Sequence, residues 1–503
     1  MGSHQTWQTR IAEKQATQFG KIPKAWRLPS EYLIIGGETC ANGVMDIPAK
    51  CGILSAEELH ITQDFDAVTL TKAVQLGTIK AKSVATAFCK RAAIAQQLTN
   101  CLTETMFDEA IKRGEFLDEY LESHGKPLGP LHGVPISLKE SFDCAGVQST
   151  MGLVSYLDKP VQTEHGVTAS IVQNLGAILY CKTNVPQTLM SSDSHNNVFG
   201  RTLNPHKLSL TAGGSSGGEG ALVALRGSIL GVGTDMAGSG MALFLQAVLE
   251  SQPWNRDPLL YAIPWRAEVA ASVPKKLRIG YMLEDAKFPV HPPVRRAMES
   301  SAQALAQAGH DVIPLSELPS LETGLELGLD ACSFDNTVEW KKHVDVSGEP
   351  LVPSLHDNLP LLTRKVDKGG YTIDEIFAHN ATKLQYKAGW NVVFARHQLD
   401  VLLCPGAETT AVPHDTIGAP PYTSLFSLLE FPAVILPVGR AMKDVDRDDL
   451  APASSLRPYR SDLVDGAPTA IQVVSRSFRD EELLAAGRVI DQCLRKANGP
   501  TST

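Results

Sequence analysis

No stretch of this sequence reaches the roughly eighteen uncharged apolar residues that a membrane-spanning helix needs. Nor is there a run of basic residues. Lys and Arg number 46 against 55 Asp and Glu, scattered along the chain, for a net charge of −9 and a pI near 5.9. A nucleic-acid partner is therefore not expected. The N-terminal MGSHQTWQTRIAEKQ lacks the apolar core of a secretory signal. Gly2 followed by Thr6 fits the short myristoylation pattern, but that pattern matches often by chance, and one acyl chain anchors only marginally. The nine cysteines, Cys40, Cys51, Cys89, Cys101, Cys144, Cys181, Cys332, Cys404 and Cys493, are odd in number and contain no CxxC pair. That excludes the usual zinc and redox spacings and fits thiols packed as small hydrophobes in a reducing compartment. These absences point to a soluble, cytoplasmic protein.

What is present is material for a large core. Of 503 residues 43% are hydrophobic and 20% charged, with Gly 40 and Pro 31. The first 130 residues read as mostly helical. Ser55 and Glu58 make a capping-box signal, a second helix is predicted near Ser83–Gln97, and a third near Glu104–Ser123, stopped by Gly125. From Gly129 to Gly240 short apolar runs alternate with glycine clusters: VPISLK, AILYC, LSLT and ILGVGTD are candidate buried strands. A β-α-β rhythm follows after residue 275, with LRIGYM, a helix over Pro293–Ala308 and then HDVIPL. DVLLCP, PAVILPV and TAIQVV read as further strands, Asp444–Pro468 as a surface loop, and Arg479–Lys496 as an amphipathic helix with acids first and bases last. The expected class is α/β with a mixed sheet.

The densest chemical signal is TAGGSSGGEGALVALRGSILGVGTDMAGSG, residues 211–240. Gly213, Gly214, Gly217 and Gly218 surround Ser215 and Ser216, so the backbone there takes positive φ or admits a close neighbour. Ser216 with Glu219 predicts a capping box and a helix running to about Arg226. Ser215 would then stand at a helix N-terminus, which favours developing negative charge. Beyond the strand ILGVGTD, Met236-Ala237-Gly238-Ser239 turns sharply, and a serine beside consecutive N–H groups can supply both nucleophile and oxyanion hole. A plain linker would not be followed by a helix and a strand, and a phosphate cradle would need Gly-Lys-Ser/Thr. A third alternative stays open on residue types. Gly214-Ser215-Ser216-Gly217-Gly218 fits a G-x-S-x-G nucleophile elbow with Ser216 as nucleophile, and His310, His343, His356, His379, His397 and His414 follow it.

Lys139 lies in the apolar run of PLGPLHGVPISLKES, where a lone lysine is ordinarily a strand-end residue reaching solvent. Together, GPLHGVPISLKES, the Gly-Gly-Ser-Ser-Gly-Gly-Glu-Gly of 213–220 and ALVALRGSILGVGTD resemble the amidase signature family, especially its fungal acetamidase-like members. KTNVPQ at 182–187, YTSLFSLLEFPAVILPVG at 422–439 and TAIQVVSRSFRDEELL at 469–484 agree. The resemblance spans roughly 55–495. It implies a single amidase signature domain there, with a mixed central β-sheet flanked by helices on both faces, after an N-terminal extension (1–54) and before a short tail (496–503).

By that resemblance Lys139 is the base, Ser215 the bridging serine and Ser239 the acyl-forming nucleophile, with the N–H groups of Met236, Ala237, Gly238 and Ser239 as oxyanion hole. A free lysine with a pKa of about 10.4 is almost wholly charged at pH 7, and burial would favour the neutral amine the relay needs. The implied reaction cleaves a carboxamide to a carboxylic acid and ammonia or an amine, without metal or cofactor. The implied partner is a small-molecule amide; a homodimer is compatible with the sequence but not specified by it.

Two positions depart from the family. Ala237 replaces a usual glycine. After Ser239 the chain runs directly into Gly240-Met241-Ala242-Leu243-Phe244, where family members continue through several tens of residues that build core and one pocket wall. A misassigned splice junction, a product that has lost activity, or a trimmed but active enzyme would each produce this sequence.

Overall fold

The computed structural model describes residues 6–33, 43–234, 241–335, 337–365, 369–418, 420–455 and 457–498. Its contacts divide into two compact units. The first contains the described residues up to 234 together with 241–265 and 340–356; the second contains those within 266–339 and 357–498. Among the described residues the α/β class with mixed sheets is observed as two main sheets, of four and five strands.

In the first unit helix α1 (Trp7–Gly20) precedes α2 (Ala56–Gln63), and the Ser55–Glu58 capping box forms with both of its hydrogen bonds. Helix α3 (Ala81–Thr99) has an alanine-rich buried face that packs against α4 (Phe107–His124), which Gly125 terminates in the left-handed region as expected. The start of α4 differs from the sequence prediction. Glu104 lies in an edge strand, β1 (Leu102–Thr105), antiparallel to β3 (Ile178–Thr183). A buried glutamate is tolerated there because α1 and the residue after it surround the carboxylate with donors: Lys14, Gln18 at 2.6 Å and Lys21 at 3.2 Å.

Strand β2 (Pro135–Lys139) is parallel to β3 on one side and, on the other, to the strand Leu230–Val232, written β4 here. All residues of β2 and β3 are buried, as expected of continuous apolar runs in a covered sheet. Helix α5 (Gly217–Ala224) lies against β2, β3 and β4. LSLT is not a strand: Leu210 closes a turn onto Lys207, and Thr211 makes only an isolated bridge to Leu203.

The second unit opens with the expected crossover: β5 (Arg278–Tyr281), α6 (Pro292–Gln307) and β6 (Asp311–Pro314), with the two strands parallel. Strand β7 (Val401–Pro405) is parallel to β5 and antiparallel to β9 (Pro468–Val474), which pairs antiparallel with β8 (Ala433–Arg440). Helix α9 (Asp480–Asn498) carries Asp480, Glu481 and Glu482 at its start and Arg495 and Lys496 at its end, matching the predicted charge order. Among the helices here that had no counterpart in the sequence reading are α7 (Leu321–Ala331) and the long α8 (Ile373–His397). Trp390 of α8 is fully buried, edge-on to Phe426 with ring centroids 5.9 Å apart. Trp390→Ala should therefore destabilise the second unit by about 3–5 kcal/mol. A urea midpoint equal to that of the parent would contradict this packing.

Candidate active site

Lys139 is the last residue of β2 and is wholly buried, so it does not snorkel to solvent. Its Nζ donates to Ser215 Oγ at 2.6 Å and also to Thr234 Oγ1. Two of the residues singled out by the sequence are thus brought into direct contact across 76 positions of chain. Met236, Ala237, Gly238 and Ser239 lie outside the described residues. Thr234, the last described residue before them, is five positions from Ser239 in the chain.

The loop that presents Ser215 is fixed from below. Ser194 Oγ donates to the carbonyl of Gly213 at 2.9 Å and accepts from the N–H of Gly217 at 3.0 Å, clasping both ends of the Gly-Gly-Ser-Ser turn. Buried Asp193, one residue earlier, receives Thr211 Oγ1 at 2.9 Å and Arg201 Nη1 at 2.8 Å. Both expected uses of glycine occur. Gly213 has φ +83, and a Cβ on Gly218 would stand 2.2 Å from the backbone nitrogen of Asn184, so only glycine lets α5 approach β3 this closely. The Gly214–Ser215 peptide is cis.

The predicted capping box is not formed. Ser216 is the N-cap of α5 but makes no side-chain cap bond. Its hydroxyl instead donates to the Thr234 carbonyl at 3.2 Å and accepts from the Thr234 N–H at 3.3 Å, tying the loop to the end of β4. Glu219 turns away from the helix start and buries its carboxylate under the sheet, where Ser137 Oγ donates at 2.6 Å and Thr183 Oγ1 at 2.9 Å. Burial strips the carboxylate of water, and the two hydroxyls replace part of the hydration it loses. Ser216 is thus occupied as a backbone clamp, which disfavours the nucleophile-elbow alternative.

A second buried polar cluster secures the chain just beyond Lys139, and the sequence reading did not single it out. Glu140 and Lys182 are both fully buried with N and O 3.3 Å apart. Glu140 Oε1 accepts from the Thr150 N–H at 2.6 Å, and Oε2 accepts from Thr103 Oγ1 at 2.6 Å. Lys182 Nζ donates to the Gln148 carbonyl at 2.9 Å and to Ser149 Oγ at 2.8 Å. With every acceptor and donor engaged, the pair pins the 148–150 loop and fixes the end of β2. The available signal was charge placement: Lys182 interrupts the apolar run ILYCKT, and Glu140 follows Lys139 directly.

Comparison with known proteins gives the family. A family model described as Amidase matches residues 83–241 and 239–484. An amidase of Gibberella moniliformis is 37% identical, the alignment covering 97% of this chain and 99% of that protein. An acetamidase of Emericella nidulans is 33% identical over 97% of this chain and 98% of its own length. Among solved structures, a fatty acid amide hydrolase superimposes with a TM-score of 0.89 at 29% identity, covering 97% of this chain and 95% of that one. A bacterial aryl acylamidase of the amidase signature family, 18% identical, shares the fold with a TM-score of 0.68. Family model, full-length relatives and fold agree: the chain belongs to the amidase signature family, whose general reaction is hydrolysis of an amide bond.

Proposed function

We propose that this protein cleaves a small or medium linear carboxamide through an acyl-enzyme, with Lys139, Ser215 and Ser239 as its relay. The observation that carries this reading is the 2.6 Å contact between the buried Lys139 amine and the Ser215 hydroxyl. In its neutral form Lys139 takes the Ser215 proton while Ser215 takes that of Ser239. The Ser239 oxygen bonds to the amide carbon, and the tetrahedral oxyanion is received by the N–H groups of Met236, Ala237, Gly238 and Ser239. The same path in reverse hands the proton to the departing nitrogen, which leaves as ammonia or an amine. Water, activated by the same relay, then releases the carboxylic acid. The steps use side chains and backbone N–H groups of this chain together with water, and the setting proposed is the cytoplasm. Short carboxamides such as acetamide are the first substrates to test, given the relatives named acetamidase; long-chain acyl amides come next, given the structural likeness to a fatty acid amide hydrolase.

One observation favours a second reading, a non-catalytic descendant. The part of the chain aligned with the Gibberella amidase is about 488 residues (97% of 503), yet the alignment runs over 539 positions. About fifty positions of that relative therefore face no residue here. The family match also breaks into two pieces that meet at residues 239–241. The division of the family match beside Ser239 supports a missing segment there. Sequencing the transcript separates the cases, because a message that encodes the absent residues removes the basis for an inactive product.

On an amide substrate, Lys139→Ala and Ser215→Ala should each lower kcat/KM by about 10³-fold or more. Ser216→Ala should retain activity within about tenfold, its hydroxyl serving the backbone. Loss of activity with Ser216→Ala alone would instead establish the elbow mechanism. A folded parent with no turnover across a panel of simple amides would favour the second reading.

A further inference from the structure

Among the described residues, Glu219 is a buried ionisable group beside the relay that the relay leaves unused. Glu219 comes from α5, and its carboxylate reaches under the sheet to the residues that frame Lys139. Ser137 stands two positions before Lys139 on β2, hence on the same face, and Thr183 is the residue paired with Lys139 across β3. Room for the carboxylate exists because residue 231 is glycine: a Cβ there would lie 2.1 Å from Glu219 Oε2. The space is thus shaped to hold an acid against the strand that carries the base.

The hydrogen bonds around Glu219 accommodate either protonation state. Ser137 Oγ lies 2.6 Å from Glu219 Oε2 and 2.8 Å from Ser228 Oγ, and it has one proton to give. With Glu219 ionised, Ser228 donates to Ser137 and Ser137 to the carboxylate. With Glu219 protonated, the same three groups reverse direction, Glu219 donating to Ser137 and Ser137 to Ser228. In the protonated state the Ser228 hydroxyl keeps a partner in the Tyr180 hydroxyl, so neither state strands a buried donor.

Resting on the Ser-Ser-Lys reading above, we propose that Glu219 is the buried counter-charge to the ammonium that Lys139 becomes when it takes the Ser215 proton. It is a positioning residue, touching neither substrate nor reacting atoms. Its part corresponds to that of the carboxylate behind the imidazole of a Ser-His-Asp triad, which steadies the conjugate acid without taking its proton. Among the described residues, the groups that face Glu219 electrostatically are Lys139 from β2, Tyr180 and Cys181 from β3, and Cys101 just before β1. Burial pushes the Cys101 thiol up to about 12 and the other two well above their ordinary ranges, so all three keep their protons near neutrality. Lys139 is the one base in that set. Burial likewise raises the Glu219 carboxyl, to about 7, against the opposing pull of Ser137, Thr183 and Lys139. As pH rises through 7, Glu219 ionises and its charge holds Lys139 protonated to a higher pH than a neutral side chain would.

The test is a proton titration that needs no turnover. Full-length protein carrying ¹³Cε-labelled lysine is titrated by NMR, with the Lys139 resonance assigned by its absence from Lys139→Ala. Glu219→Gln keeps shape and hydrogen bonding while removing the charge, and should lower the Lys139 midpoint by about one unit, a tenfold gain in free amine at a fixed pH below it. Thr183→Val, which weakens the carboxylate by removing one donor, should shift it the same way by less; this variant carries the test if Glu219→Gln fails to fold. Where the protein is active, the acid limb of kcat/KM should move with the midpoint. A Lys139 midpoint within 0.2 unit of the parent in the folded variant, or a lysine still charged to pH 11 in both proteins, overturns the proposal. Failure of the relay reading looks different: activity would survive Lys139→Ala while the Glu219-dependent shift persisted.

Discussion

Everything in the candidate site depends on a lysine amine held away from water. An ammonium at such a position forfeits hydration worth several kcal/mol unless acceptors replace it, and a neutral amine still needs partners for its hydrogens. Here Ser215 and Thr234 supply acceptors from two different segments, one from the glycine-rich loop and one from the end of β4. The lysine thereby becomes the point at which strand, loop and the approach to Ser239 are joined. Displacing Ser215 would take one of these acceptors away from a buried donor.

That constraint explains the density of polar groups beneath the loop. Ser194 holds both ends of the Gly-Gly-Ser-Ser turn, Asp193 anchors Thr211 and Arg201, and the Glu140–Lys182 pair fixes the chain beyond Lys139. Each is a charged or hydroxyl side chain with its partners in place, which is how buried polar groups confer a unique geometry instead of a penalty. Catalysis by positioned proton transfer needs such fixed distances, since a relay through two hydroxyls works only when each lies within hydrogen-bond reach of the next.

Much of this was legible in the sequence because the strands carrying the site are local signals. VPISLK and AILYC are short, largely apolar and each follow a glycine, and both fall on wholly buried strands, the second running on to Thr183. The glycines of 213–218 announced close approach, and Gly218 delivers it. Glu219 was misread because Ser-x-x-Glu has a local use, the capping box, and a tertiary one, burial against Ser137 and Thr183; spacing alone does not choose between them. Glu104 was misassigned to a helix for a similar reason, its edge-strand place depending on Lys14, Gln18 and Lys21 from a helix more than eighty residues away. The long helix over Ile373–His397 was overlooked although Thr372 and Glu375 do form a capping box, because its residues lack one strong apolar stripe and bury only a few widely spaced side chains such as Trp390.

The division of the family match at residues 239–241 bears on the same chemistry, since it falls beside the proposed nucleophile. The most direct test treats the purified protein with a fluorophosphonate probe and maps the adduct by mass spectrometry, with Lys139→Ala alongside. The relay predicts an adduct on Ser239 that disappears in the variant. An adduct on Ser216, labelling indifferent to Lys139, or no adduct on a soluble and cooperatively folding protein would contradict it.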